Sequence, residues 1–326
     1  LKSARALEGP IDPPWEWPWW RARNEDSLVL PWFILIHLTA LAGLILFPLP
    51  GWRVLLGSFC LVWLGGMATT VCYHRALAHR ALRLNPWLIS ILTFFAVFNG
   101  SGTPLSWAAG HRRHHAFADT ENDISSPVNG FWWAHLRWLW QSGEPSVERF
   151  CPELDRPMYR FWWYVQGPIL AVSYFGGLYF GAAAFFWVGS IRLVFALHAQ
   201  CFVNSVCHTE PGVSPGEDSS RNVTWLALMQ FCQGENWHRN HHARPGIARL
   251  GWSWRQPDVG YLAICLLEKI GLATDVRRLR QGSAQDSSQQ DSSQDVGLKV
   301  TPDVARNIPE DILRDIPRVS PSAESA

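Results

Sequence analysis

No two cysteines in this 326-residue chain are separated by just two residues, and the seven present (Cys60, Cys72, Cys151, Cys201, Cys207, Cys232 and Cys265) are scattered and mostly flanked by apolar residues. That excludes a zinc ribbon and reads as reduced, buried thiols, not a disulfide framework. Net charge is almost absent, at +1, so neither nucleic acid nor an acidic partner is implied. Residues 1–27 mix both signs of charge with Pro and Trp. They lack the charged segment and short apolar core of a secretory leader.

What the chain has instead is tryptophan and long uncharged runs. Twenty Trp is several times ordinary usage, and Trp favours membrane interfaces, where its ring is half buried and its N–H stays wet. Leu28–Trp52 and Val54–Tyr73 carry no charge, and each could cross a hydrocarbon core of about 30 Å as a helix. "PLPG" between them predicts a tight helical hairpin. Phe161–Ile191 is uncharged and continues apolar to Val206, enough for two more spans with a break near "YFGGLYFGAAA". Arg192 falls within the last and is expected to point inward to a polar partner. The Lys and Arg residues number four in 1–27, nine in 75–160 and thirteen in 207–326, with only Arg53 and Arg192 elsewhere. Four spans would put those three segments on one side, cytoplasmic by the positive-inside rule. Asn222-Val-Thr, a sequon by pattern, then lies on the wrong side for glycosylation. From about Gln281, "QGSAQDSSQQDSSQD" is polar and low in complexity and builds no core. The expected organisation is a cytosolic segment 1–27, a domain 28–280 and a disordered tail 281–326.

Eight of the twelve histidines fall in three boxes: "HRALAH" (His74, His79), "HRRHH" (His111, His114, His115) and "HRNHH" (His238, His241, His242). His208 closes "NSVCH" after the fourth span. On a helix, positions i, i+3 and i+4 share a face, so each HxxHH aims three imidazoles into one volume. His74 and His79 stand about 140° apart on a regular α-helix, so either the helix ends between them or they serve different metals. Leu84–Gly110 is also uncharged. If it crossed the membrane, the first two boxes would be separated, so it is expected to be interfacial or re-entrant. Nine imidazoles exceed the four ligands zinc takes, and they suit two irons. His37, alone in the first span, reads as hydrogen-bonded to a neighbouring helix, and His135 and His198 read as structural. Asp119, Asp123 and Glu235 are candidates to orient the outer imidazole nitrogens.

The three boxes, with "GTPLSWAAGHRRHHAFADT", "GFWWAHLRWL", "VNSVCH", "GENWHRNHHARP" and "WRQPDVGYLAICLLEKIGLATDVR", resemble the membrane fatty acyl desaturases, above all the Δ9 acyl-CoA (stearoyl-CoA) type and its bacterial members, over residues 28–280. The resemblance implies an all-α integral membrane protein with four transmembrane helices under a cytosolic helical cap. It implies a di-iron centre held by His74, His79, His111, His114, His115, His208, His238, His241 and His242, with Asn204 reaching one iron through water. Trp107 would line the acyl tunnel. The activity implied is O2-dependent insertion of a cis double bond, of Δ9 type, into a saturated C16–C18 chain carried on CoA or lipid. Membrane di-iron hydroxylases are the alternative. A metal transporter is disfavoured, because its histidines would sit at mid-bilayer. Two departures stand out. "DISS" (123–126) replaces the family's "DPHS" or "DPHN", and Ala109 and Gly110 replace an Arg-Asp pair that helps animal acyl-CoA enzymes recognise the carrier. Abstracting hydrogen from an unactivated methylene needs a redox metal, since no side chain is so strong an oxidant. No CxxCH and no "HPGG" occurs, so electrons are expected from a separate donor of ferredoxin or cytochrome b5 type.

Overall fold

The computed structural model describes residues 13–23, 27–214 and 216–279; the tail beyond 281 lies outside them. Its elements are almost all helical. Val29–Leu46 (α1) and Trp52–Ala78 (α2) form the hairpin, and their join lies at "PLPG", where Gly51 takes a left-handed φ of +91°. Pro86–Phe98 (α3) and Pro104–Phe117 (α4) follow, then Pro157–Phe175 (α5) and Ala182–Val206 (α6). His238–Ala243 (α7) and Val259–Lys269 (α8) complete the principal helices.

Three of these helices, α1, α2 and α6, are long and apolar enough to cross a membrane. In α1, Leu38, Leu41, Ile45 and Leu46 are each more than half exposed. Leaving a leucine side chain in water forfeits roughly 1.5–3 kcal/mol, whereas lipid removes that cost. α5 has the length, 19 residues, but carries Arg160 and an internal Pro168, which lower its apolar character. The break between α5 and α6 falls at Gly176–Phe180, a 3-10 turn, where the glycines of "YFGGLYF" predict it. Gly177 allows the close approach: a Cβ there would stand 2.4 Å from the Ala184 carbonyl oxygen.

The uncharged run 84–110 is two helices and not one. Asn85 caps α3 by accepting from Trp87 N at 3.2 Å, with Pro86 at its first turn. Gly100 and Gly102, at φ +83° and +80°, then turn the chain, and Thr103 caps α4 by accepting from Ser106 N. Thirteen residues rise only about 20 Å, so α3 is short for a crossing. Arg192 is buried where α3 ends. Its guanidinium donates to Asn99 Oδ1 at 3.0 Å, to Val188 O at 2.6 Å and to Ser173 Oγ, joining α3, α5 and α6. The inward polar partner expected for it is therefore present, though it is neutral.

The main core gathers Val71, Leu77, Leu82, Leu88, Ile89, Leu105 and Ile264 around the end of α2. A two-residue ladder, Arg83–Leu84 (β1) antiparallel to Ala273–Thr274 (β2), pins the segment after α8 beside the first histidine box. Arg277 N donating to Ala81 O at 2.8 Å extends that contact. Residues 13–23 lie as a strap on residues 137–141: Trp140 Nε1 donates to Trp19 O, and Gln141 Nε2 to Pro18 O, each at 2.9 Å.

Candidate metal centre

The first box sits on a change of helix type. From Thr69 to Ala78, α2 is π-helical, and His79 N donates to His74 O at 3.0 Å, closing a five-residue turn. The wider turn brings positions five apart onto one face, and the helix stops at His79. The 140° separation expected of a regular α-helix therefore does not arise, and His74 and His79 serve the same group. The second box rides on α4, where His111 and His115 are one turn apart with Nε2 atoms 3.1 Å from each other. The third box occupies the six-residue α7. That helix is too short to persist alone and is held by Asn222, whose Oδ1 accepts from Arg239 N at 3.1 Å and Asn240 N at 3.4 Å. The sequon asparagine is thus already engaged.

Two imidazole quartets result: His74, His79, His111 and His241, and then His114, His208, His238 and His242. His115 joins His241 and His242 in a third group between them. All nine histidines expected to meet do meet. In every close pair, Nε2 faces Nε2: 2.7 Å for His79–His111, 3.0 Å for His74–His241, 2.8 Å for His115–His241, 2.8 Å for His208–His238 and 3.3 Å for His114–His242.

The outer nitrogens fix what those atoms are. His114 Nδ1 donates to Asp123 Oδ2 at 2.8 Å, His208 Nδ1 to Asp119 Oδ2 at 2.9 Å and His242 Nδ1 to Asp218 Oδ2 at 3.0 Å. His74 Nδ1 is 2.7 Å from Glu235 Oε2, close but poorly aligned. An ionised carboxylate only accepts, so the ring proton resides on Nδ1 and Nε2 presents a lone pair. Burial works against ionisation of Asp119, but the His208 contact, Ser126 and Ser219 outweigh it and hold the carboxyl well below its ordinary range. Glu235 is likewise lowered: burial opposes, and His74, Arg75 and Thr70 prevail. Burial first, and the neighbouring rings second, push His79, His111, His115, His238, His241 and His242 well below 6.5. They are neutral donors at pH 7. His114 runs the other way, raised by Asp123 despite its burial. His114 and His242, each protonated on Nδ1, bring two Nε2 lone pairs to 3.3 Å; these repel unless a cation lies beside them, so the donor set fits bound metal.

Asp119 and Asp123 hydrogen-bond imidazoles as the sequence suggested, and Glu235 lies against His74 Nδ1 without an aligned bond. Asp123 sits in "DISS", where its Oδ1 also accepts from Ser125 N, while Ser126 Oγ donates to Asp119 at 2.7 Å. The departure from the family's tetrapeptide therefore preserves both carboxylates. Asp218 was not foreseen, since it lies in a polar loop with no spacing to any box. Nor was Arg75, which is buried and donates to Asp258 Oδ1 at 2.9 Å and Gln233 O at 2.8 Å, bracing the turn that carries Glu235. Trp107 stacks on His111, with centroids 4.9 Å apart and planes at 20°. Asn204 lies in the last turn of α6, part exposed, four residues before His208. The other three histidines form a separate chain: His37 Nε2 to His198 Nε2 at 3.0 Å, His198 Nδ1 to His135 Nε2 at 2.8 Å, and His135 Nδ1 to Ser205 Oγ at 2.9 Å.

A helical chain with membrane-length apolar helices and two imidazole quartets defines a histidine-rich membrane protein with a candidate metal centre. Comparison with known proteins gives the class a family. The family model described as Fatty acid desaturase matches residues 50–251. The chain is 35% identical over 271 residues to "Delta-9 acyl-lipid desaturase 2" of Arabidopsis thaliana, covering 80% of this chain and 86% of that protein. It is 37% identical over 252 residues to "Delta-9 acyl-lipid desaturase 1" of the same plant, covering 75% and 81%. It is 33% identical over 260 residues to "sn-1 stearoyl-lipid 9-desaturase" of Synechocystis sp., covering 76% and 79%. The chain belongs to the fatty acid desaturase family, and it is an oxidoreductase of lipid metabolism that desaturates fatty acyl chains.

Proposed function

We propose that the protein is an O2-dependent Δ9 desaturase of saturated C16–C18 acyl chains carried on a lipid. The single observation that carries the chemistry is the pair of imidazole quartets with their Nε2 atoms turned inward. The Δ9 position and the lipid carrier are supported by the names of the three relatives. Ala109 and Gly110, which leave no charge where acyl-CoA enzymes of animals have an Arg-Asp pair, support the carrier. The balanced reaction is –CH2–CH2– + O2 + 2 e⁻ + 2 H⁺ → –CH=CH– + 2 H2O.

Two irons are proposed, one for His74, His79, His111 and His241 and one for His114, His208, His238 and His242, with His115 between them and Asn204 reaching the second through water. When bound, iron supplies the redox capacity to activate O2 that side chains lack. The chain's own residues do the rest. Asp119, Asp123, Asp218 and Glu235 fix tautomer and ring orientation, while Trp107 closes one side of the first quartet with an apolar face suited to a hydrocarbon chain. Four spans are proposed, α5 joining α1, α2 and α6, with the boxes on the cytoplasmic side and α3 not crossing. Positive charge gathered in three segments supports that topology. A segment 1–27, the catalytic domain 28–280 and a dispensable tail 281–326 complete the reading.

Expression with a reductase and donor, followed by mass spectrometry of derivatised fatty acids, tests the proposal. Cis monoenes with the double bond at carbon nine, appearing on lipid before CoA, are expected. Products sixteen mass units heavier without monoenes would instead make it a hydroxylase.

A further inference from the structure

The reaction proposed above consumes two electrons, and among the described residues no redox group lies between the imidazole quartets and the surface. Electron transfer weakens steeply with distance, so the donor must approach where the centre comes nearest to solvent. The four carboxylates that hold Nδ1 atoms differ sharply in this respect. The side chains of Asp123 and Asp119 are 0% and 2% exposed, Glu235 is 19% exposed and Asp218 is 43% exposed. Asp218 also borders a concavity of about 240 Å³ lined by Glu210, Val213, Ser220, Arg239, His242 and Ala243, with the His242 ring itself buried behind Asp218 at 3% exposure. From solvent to the second quartet is thus one hydrogen bond, Asp218 to His242 at 3.0 Å. Among the four carboxylates only Asp218 is exposed; Asp123, behind His114, is buried, and Trp107 lies flat on one side of His111.

We infer that this concavity is where a separate electron-carrier protein docks, and that electrons enter through Asp218 and His242. The inference rests on the desaturase reading above. The hollow is too small for a lipid headgroup with its chains, but a protein surface can sit flush over it. The rim is polar and of mixed charge. Arg239 is 65% exposed, and its ionic partner among the described residues, Glu210, is 3.8 Å away, a weak surface pair. Arg239 is therefore free to pair across an interface. Arg244, exposed one residue beyond Ala243, adds a second cation. Since Glu210 and Asp218 line the hollow beside these arginines, with Glu217 exposed next to Asp218, the partner that fits is a small redox protein that offers acidic groups to Arg239 and Arg244 and basic groups to the carboxylates.

Two variants test the site without touching a ligand or its carboxylate: Arg239→Glu, which reverses the rim charge, and Ala243→Arg, which fills the hollow. The iron-loaded protein in lipid nanodiscs would be titrated with reduced plant-type ferredoxin and, separately, with the soluble domain of cytochrome b5. The half-saturating concentration of at least one donor should rise about tenfold or more and become less salt-dependent in Arg239→Glu. Anaerobic reduction by dithionite, followed by iron spectroscopy, should keep its wild-type rate. Independently of turnover, hydrogen exchange in peptides covering 216–221 and 238–244 should slow when that donor is added. Unchanged donor dependence in both variants overturns the inference. So does equal slowing of donor and dithionite, which would make the rim part of the site's integrity. A response confined to Arg80→Glu, beside His79, would also overturn it and place docking at the other quartet. If no iron is retained or no monoene forms in the unmodified protein, it is the desaturase reading that has failed, not the docking site.

Discussion

His114 Nδ1 lies 2.8 Å from Asp123 Oδ2, and that same carboxylate oxygen accepts the backbone N–H of Asp119 at 3.0 Å. Asp119 in turn holds His208 and carries a left-handed φ of +58°, a conformation Asp tolerates better than most residues. One carboxylate therefore orients one ligand directly and a second through its neighbour. Both belong to the second quartet. Asp123→Ala should lower metal affinity there by about 10- to 100-fold. Metal analysis after mild chelation should find the content falling from about two per chain to about one, with the His74 quartet still loaded.

Trp107 presents its face to His111 and its edge to His74, 5.8 Å between centroids. Trp107→Leu should raise KM for the acyl substrate severalfold while metal content holds. Loss of metal with unchanged KM would show that the indole braces His111 and does not line the path of the chain.

Arg192 gathers its acceptors from α3, α5 and α6 at a buried point among the spans. Arg192→Leu leaves those acceptors unmet, at about 1–3 kcal/mol for each that finds no other donor. Detergent-solubilised variant should unfold at a clearly lower temperature than wild type. Lys in the same place should recover only part of the loss, because three donors on one nitrogen cannot reach the acceptors that a guanidinium fork spans.

The imidazole chain through His37, His198 and His135 predicts a pH effect. His37 Nδ1 sits 2.7 Å from Phe33 O, and a carbonyl can only accept, so His37 carries a proton on that nitrogen. Burial first, and His198 second, push His135 down to about 4, against about 6.5 in an unfolded chain. Below 6.5 the unfolded state takes up a proton that the folded ring refuses until about 4. Stability is therefore full above about pH 6.5 and falls as pH drops toward 4. His135→Gln cannot titrate and should flatten that dependence. Unfolding midpoints of the metal-loaded protein at about pH 7 and pH 5 check this, the wild type losing more between them.

The sequence by itself determined the apolar hairpin, the break at "YFGGLYF" and the identity of the nine clustered histidines, because these depend on local spacing and on how long a run avoids charge. It also anticipated that His37 would bond to a neighbouring helix and that Arg192 would turn inward, since lone polar groups in apolar helices must find partners. Only the tertiary structure decided which imidazoles share a group. His241 joins His74 and His79 while His242, the next residue, joins His208, because adjacent residues on a short helix point about 100° apart and the two quartets lie on either side of it. The π-helical turn at His74 was not legible either, since its pattern of apolar residues does not differ from that of an ordinary helix. Asp218 needed the fold for a similar reason: a carboxylate in a polar loop carries no periodic signal, and only the packing of that loop against His242 gives it a task.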